Sequence, residues 1–345
     1  MDLETPKDAM DCHTTLELET HNMVIENGDN KCKSQVLYNL GLHYGTVKKD
    51  YVKMKEYYND VIKIDDKEYK TLAMNDLGLH YETVEKDYDN MKLYYIMAIE
   101  CGDSSAMNNL GSYYRGVKDY TNMKKYFDMA VENNNSSAMY NLGRYYQSIE
   151  DYDSMIKYYT MAIDNNNSDA MNKLGLYYRS IKDYINMMKY YIMAIECGNS
   201  SAMNNLGLYY KNVEKDYENM EKYFTMAVEN NNSCAMNNLG SYYKSIKDYN
   251  NMKKYYIMAI EHTNGSAMYK LGLYYKDTHD YINMKKYFDM TISNGNNNSK
   301  SRAQYDLELY YGNIERKYHT MKKMITMLLI IFVVCLCISQ MIVMF

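Results

Sequence analysis

The sequence predicts an all-α protein: a solenoid of about nine helix-turn-helix repeats with a period of 32–37 residues, followed by one transmembrane helix. Three observations carry this expectation. A Leu-Gly pair recurs at 40–41, 77–78, 110–111, 142–143, 174–175, 206–207, 239–240 and 271–272, with a degenerate ninth copy at Leu307-Glu308. The steps are 37, 33, 32, 32, 32, 33, 32 and 36 residues, and a near-constant period of this length marks stacked units too small to bury their own apolar faces. Within each unit two apolar stripes of helical period follow one another, and residues 325–345 form a run of 21 residues without a charge.

The unit from Ser105 to Ser136 shows how one repeat is built. Ala106, Met107, Leu110, Gly111 and Tyr114 share one side of a first helix, and Met123, Tyr126, Phe127 and Ala130 share one side of a second. Gly116 and Asp119 mark the break, with the Asp119 carboxylate placed to cap the free N–H groups that open the second helix. The same Asp-Tyr pair returns at 87–88, 151–152, 183–184, 216–217, 248–249 and 280–281. Between units the chain is Asn/Ser-rich, and a Ser or Asp just ahead of the Ala is the expected N-cap of the next first helix. A mid-helix Gly costs roughly 1 kcal/mol against Ala, so its return in register points to close approach of a neighbouring helix.

The bulk that fills such a core is unusual. There are 43 Tyr and 31 Met but only 5 Phe and no Trp, so Tyr rings and Met must form the interior and many Tyr hydroxyls must find partners or reach the surface. The single Pro and the excess of Asn, Lys, Tyr, Ile and Met match the codons of an AT-rich gene.

The order Ala-x3-Leu-Gly-x2-Tyr, a turn, Asp, Met, two adjacent aromatics and an Ala resembles the Sel1-like repeat of the tetratricopeptide superfamily. Here those positions are Ala106, Leu110, Gly111, Tyr114, Asp119, Met123, Tyr126, Phe127 and Ala130, and the resemblance extends over roughly residues 34–320. It implies a right-handed α-solenoid that acts as an adaptor assembling membrane-associated complexes. The chain departs from the family in a shorter interhelix turn and in a Tyr-Tyr or Tyr-Phe pair where Trp-Tyr is usual.

The ends differ from the middle. Residues 1–33 lack the basic start and apolar run of a secretory signal, and Met23-Val24-Ile25-Glu26-Asn27-Gly28 matches the end of a second helix, so this segment is expected to be a capping half-repeat. Residues 34–320 form the repeats and 321–345 the transmembrane helix. The charge-free stretch 325–345 spans about 31 Å at ~1.5 Å per residue, enough for a hydrocarbon core of ~30 Å. Arg316, Lys317, Lys322 and Lys323 precede it, so the positive-inside rule places the repeats in the cytosol on a single-pass, tail-anchored chain. Met321-Lys322-Lys323 aligns with Met284-Lys285-Lys286, which predicts that the second helix of the last repeat runs directly into the membrane.

Composition argues against several function classes. Net charge is −5 with both signs interspersed, which offers no basic stripe for nucleic acid. The seven cysteines show neither CxxC nor metal-ligand spacing and read as reduced thiols. His43 and His80 occupy equivalent positions, but two imidazoles alone make a poor metal site. No phosphate-cradling loop, HExxH or GxSxG is present, so the expectation is a protein that is not an enzyme and uses no cofactor, metal or small-molecule substrate.

If the units stack as in the tetratricopeptide superfamily, a concave groove is lined by first-helix residues beside the packing stripe. Two residues before each Leu stand Asn75, Asn108, Asn172, Asn204 and Asn237. Two residues after it stand Leu42, Leu79, Leu176, Leu208 and Leu273, and five after it Arg115, Arg179, Lys211, Lys244 and Lys276. Amides beside a cationic column suit an extended peptide with acidic groups or a free carboxylate. The expected function is therefore a membrane-anchored scaffold for a protein partner. A self-associating structural solenoid, or an adaptor of the endoplasmic-reticulum quality-control type, are the alternatives.

Overall fold

The computed structural model describes the backbone of residues 28–343 and the side chains of residues 28–329. Among the described residues there are seventeen α-helices and no strand. The chain divides at Leu174/Gly175 into two compact units. The first helices of the repeats are α1 (Asn30–His43), α3 (Lys67–His80), α5 (Ser104–Gly116), α7 (Ser136–Ser148), α9 (Ser168–Ser180), α11 (Ser200–Tyr209), α13 (Ser233–Ser245) and α15 (Gly265–Asp277). The second helices are α2 (Tyr51–Lys63), α4 (Tyr88–Glu100), α6 (Tyr120–Glu132), α8 (Tyr152–Asp164), α10 (Tyr184–Glu196), α12 (Tyr217–Glu229), α14 (Tyr249–Glu261) and α16 (Tyr281–Asn294), and α17 (Asn297–Val343) ends the chain. The half-repeat expected from residues 1–33 lies, up to residue 27, outside the described residues.

The turn inside each repeat is set by backbone geometry. One residue sits in the left-handed region: Lys49, Lys86, Lys118, Glu150, Lys182, Lys215, Lys247 and His279, with φ between 58° and 63°. Such a residue ends a helix by turning its N–H onto a carbonyl of the last turn. Gly116, read from the sequence as the break, lies inside α5, and the reversal comes at Lys118. Three repeats hold one extra residue here, absorbed by widening the helix end into a π turn at Tyr44–Lys48, Tyr81–Glu85 and Tyr210–Glu214. Accordingly Asp216 N bonds Tyr210 O at 3.1 Å, six residues back, where Asp119 N bonds Tyr114 O at 2.9 Å, five back.

The expected Asp caps form. Asp119 Oδ1 accepts from Asn122 N at 3.1 Å, and Asp87, Asp151, Asp183, Asp216, Asp248 and Asp280 do the same with the residue three ahead. The caps of the first helices correct the sequence reading. They are Asp103, Asn135, Asn199, Asn232 and Asn264, three residues before the Ala rather than the Ser or Asp next to it. Asn135 Oδ1, for example, accepts from Ala138 N at 2.9 Å, so the intervening Ser residues already belong to the first turn.

Each repeat core is a first helix clasped by the second. Phe127 is fully buried on Gly111, Tyr159 on Gly143 and Phe224 on Gly207, with the ring lying where a Cβ would stand. The glycine column thus admits an aromatic ring of the partner helix, and full burial of such a ring contributes roughly 1.5–3 kcal/mol. The other member of the aromatic pair stacks on the last Tyr of the first helix: Tyr114 on Tyr126 at 5.6 Å and Tyr243 on Tyr255 at 5.4 Å between centroids. The buried hydroxyls of Tyr95 and Tyr159 take partners, Tyr95 donating to Glu82 Oε2 at 2.8 Å and Tyr159 to Gln147 Oε1 at 3.0 Å.

The ninth repeat corrects a second expectation. Its first helix does not turn back; α17 continues as one helix of 47 residues through the segment that was read as a second helix. The sequence Asn313-Ile314-Glu315-Arg316-Lys317-Tyr318 matches Asn212-Val213-Glu214-Lys215-Asp216-Tyr217 except that Lys317 replaces the capping Asp. Glu308 also stands where Gly would receive the ring of a second helix. Without cap or recess the reversal has nothing to hold it. Among the described residues no helix is long and apolar enough to cross a membrane. The expected span at 325–345 falls mostly on residues 330–345, whose side chains lie outside the described residues.

Candidate functional site

The face formed by the first helices is where the predicted groove residues lie. There the residue two before Leu in one repeat bonds the residue one before Leu in the next. In the first unit Tyr38 donates to Asp76 Oδ2 at 2.8 Å, Asn109 Nδ2 to Asn75 Oδ1 at 3.1 Å and Asn141 Nδ2 to Asn108 Oδ1 at 2.9 Å. In the second, Asn238 Nδ2 donates to Asn204 Oδ1 at 2.9 Å, Lys270 Nζ to Asn237 Oδ1 at 3.1 Å and Tyr269 to Asp306 Oδ2 at 2.8 Å. The carboxamide oxygens of Asn75, Asn108, Asn204 and Asn237 therefore tie neighbouring first helices together. Asn172 and Asn204 are themselves buried. In the leucine column Leu42 and Leu79 are exposed, while Leu208 and Leu273 pack against the apolar clusters of the second unit.

The cationic column divides by partner. Arg115 Nη1 donates to Asn141 Oδ1 at 3.0 Å, and Arg144 lies over the Tyr140 ring, 5.8 Å from its centroid. Burial and the charge of Arg144 lower the Arg115 pKa. Lys276 is taken up by Asp306 Oδ1 at 2.7 Å. Arg179 stands beside Tyr191, whose pKa burial pushes up to about 12 against the pull of that cation.

Lys211, Lys244 and Lys270 behave differently. Lys270 Nζ donates to Ser241 Oγ at 2.7 Å as well as to Asn237. Burial, then the positive charges of Lys211 and Lys244, lowers the Lys270 pKa, and burial alone lowers that of Lys211. Among the described residues no carboxylate lies within ion-pair distance of Lys211 or Lys270, and Lys244 meets only Asp277 at 3.7 Å. Sequence reasoning missed Lys270 because it followed columns two before, two after and five after Leu. The signal was a Lys at the position one before Leu, where Asn109, Asn141, Asn205 and Asn238 stand in four other repeats and Lys173 in a fifth.

The histidines take structural roles. His80 is buried, touches Glu85 Oε1 through Nε2 at 3.0 Å and lies against the Tyr51 ring, and the exposed His43 packs against Tyr44. Among the described residues no group of three potential ligands could hold a metal ion.

Comparison with known proteins agrees with this architecture. Residues 104–137, 136–169 and 235–261 match the tetratricopeptide repeat model. No curated protein matches the sequence. Among solved structures the chain is similar to c5321, described as a protective antigen of uropathogenic Escherichia coli displaying an SLR fold, with 21% identity, a TM-score of 0.53 and coverage of 84% of this chain and 71% of that one. It is also similar to yeast Tom70, with 14% identity, a TM-score of 0.59 and coverage of 84% and 66%. A Sel1 repeat protein from Oxalobacter formigenes aligns with 22% identity, a TM-score of 0.48 and coverage of 61% and 98%. At these identities the likeness to c5321 and Tom70 is one of fold.

Proposed function

We propose that this tetratricopeptide-type solenoid is a membrane-tethered scaffold, with repeats of the Sel1-like branch, that holds an acidic segment of a protein partner against its first-helix face. The observation that carries the reading is the lysine group of the second unit. Lys270 lies within reach of the charges of Lys211 and Lys244, and of the three only Lys244 has a carboxylate in ion-pair distance, Asp277. Folding leaves such charges clustered at a cost that an acidic ligand offsets. In this reading residues 34–320 form the binding stack, residues 1–33 cap it and residues 321–345 tether it with the repeats on the cytosolic side.

Support for the tether comes from the uncharged stretch 325–345 behind Lys322 and Lys323, and from the unbroken run of α17 to Val343. Each half has its own test. A photo-crosslinking side chain at Lys211 should capture a partner whose capture falls when Lys244 is changed to Glu, while the same group at Lys222 on α12 should not; equal capture from both positions overturns the scaffold reading. Deleting residues 324–345 should release the protein from membranes, and Val334→Arg should weaken insertion by about 2.5–3.5 kcal/mol. A truncated chain that still sediments with membranes overturns the tether.

A further inference from the structure

We propose that Lys211, Lys244 and Lys270 form a subsite for a phosphate monoester on a phosphorylated protein partner, an inference that rests on the scaffold reading above and names the chemistry of its ligand. The geometry is that of a prepared donor group. Lys270 Nζ spends two of its three N–H groups on Asn237 Oδ1 at 3.1 Å and Ser241 Oγ at 2.7 Å, which fixes the ammonium and leaves one donor. Ser241 is itself fixed, because its hydroxyl donates to Asn237 O at 2.8 Å and accepts from the Tyr256 hydroxyl at 3.3 Å.

Charge counting selects the ligand. Of the three ammonium groups only that of Lys244 has a carboxylate in ion-pair distance, Asp277 at 3.7 Å with a largely exposed side chain. The excess is about two positive charges, which matches the −1.5 to −2 of a phosphate monoester near neutral pH better than the single charge of a carboxylate. Lys276 is excluded from the group by its bond to Asp306 at 2.7 Å. A bound dianion also reverses the penalty that burial and two neighbouring cations place on the charged form of Lys270.

The arrangement favours a peptide over a lipid surface. The three lysines come from three consecutive repeats and are half-buried, and an extended chain laid across successive first helices passes from one repeat to the next. A bilayer presents its phosphates in a plane and meets exposed groups first.

The test uses the full chain in detergent, with thermal unfolding followed by circular dichroism. Inorganic phosphate and O-phosphoserine should raise the midpoint in a concentration-dependent way, whereas acetate at matched ionic strength should not. Lys270→Met should lose about tenfold or more in apparent phosphate affinity, equivalent to the loss of one charge-assisted hydrogen bond, and Lys222→Ala on α12 should lose none. If Lys270→Met does not fold, Lys211→Met and Lys244→Met carry the same comparison. An equal response to acetate, an unchanged response in these variants, or binding confined to vesicles of phosphatidylcholine with phosphatidylinositol 4-phosphate overturns the subsite. If crosslinking at Lys211 persists while phosphate has no effect, the subsite fails and the scaffold stands; if both fail, so does the scaffold.

Discussion

The ring of Tyr191 rests on Gly175 so closely that a Cβ on that glycine would stand 2.5 Å from ring atom Cδ1. Tyr191 is fully buried and cannot swing aside without leaving its cluster. Gly175→Ala should therefore destabilise the protein by ~1–3 kcal/mol through overpacking, although Ala is by itself the better helix former by ~1 kcal/mol. Urea unfolding measures the difference. A neutral or stabilising result would show that the ring can slide and that the glycine column is not a packing device.

The left-handed lysines offer the opposite outcome. Lys118 has φ 62° and is exposed, so its side chain makes little packing contact while its backbone bears the cost of an unfavourable region. Lys118→Gly should raise stability by ~0.5–1 kcal/mol, less than the full strain because glycine also loosens the unfolded chain. A lower thermal midpoint in the variant counts against this account of the turn.

The helix caps set the acid limit. Side-chain and backbone hydrogen bonds from Asn122 hold the Asp119 carboxyl below its ordinary value, and Asn186 and Asn283 do the same for Asp183 and Asp280. Because folding depresses these pKa values, their stabilising contribution is complete above the unfolded carboxylate range of about 4 and is lost as pH falls through the folded values. Asp76 acts in the opposite sense: burial raises its pKa, so protonation at low pH relieves rather than removes. Stability should be level above pH ~5 and fall below ~4, and Asp119→Asn, which keeps a capping oxygen without a titrating charge, should fall less steeply. Parallel acid profiles for the two proteins would exclude Asp119 as a contributor.

In the unbroken α17, Glu308 and Lys317 stand where the other repeats have the recess glycine and the capping Asp. Glu308→Gly with Lys317→Asp restores the ring recess and the cap found in the other repeats, and should let Tyr318 onward fold back as a second helix. Spin labels at Arg302 and Met324 are ~33 Å apart along a continuous helix at ~1.5 Å per residue, and should approach to about 10 Å when the helices pack side by side. An unchanged distance in the double variant would place the cause of the continuous helix elsewhere.

The sequence by itself determined the repeat, its two helices and most of its core. The Leu-Gly register and the Asp-Tyr turn are local, and the apolar stripes of helices about 13 residues long have few ways to pack. Tertiary structure decided what those stripes could not encode. Whether Asn75 or Asn108 faces a ligand or a neighbouring repeat depends on which first helix lies beside it, and that helix begins more than 20 residues further along the chain. The lysine group depends on the same stacking, because Lys270 stands outside the column that Lys211 and Lys244 share and comes within reach of their charges only when three repeats pack together. The Ser and Asp residues before each Ala were legible as cap formers, but a cap is a hydrogen bond to a backbone N–H, and only the backbone course showed that Asn135 and its counterparts three residues earlier make it. Charge and hydrogen-bond partners across repeats are properties of the stack, and a one-dimensional period carries the stack without its pairings.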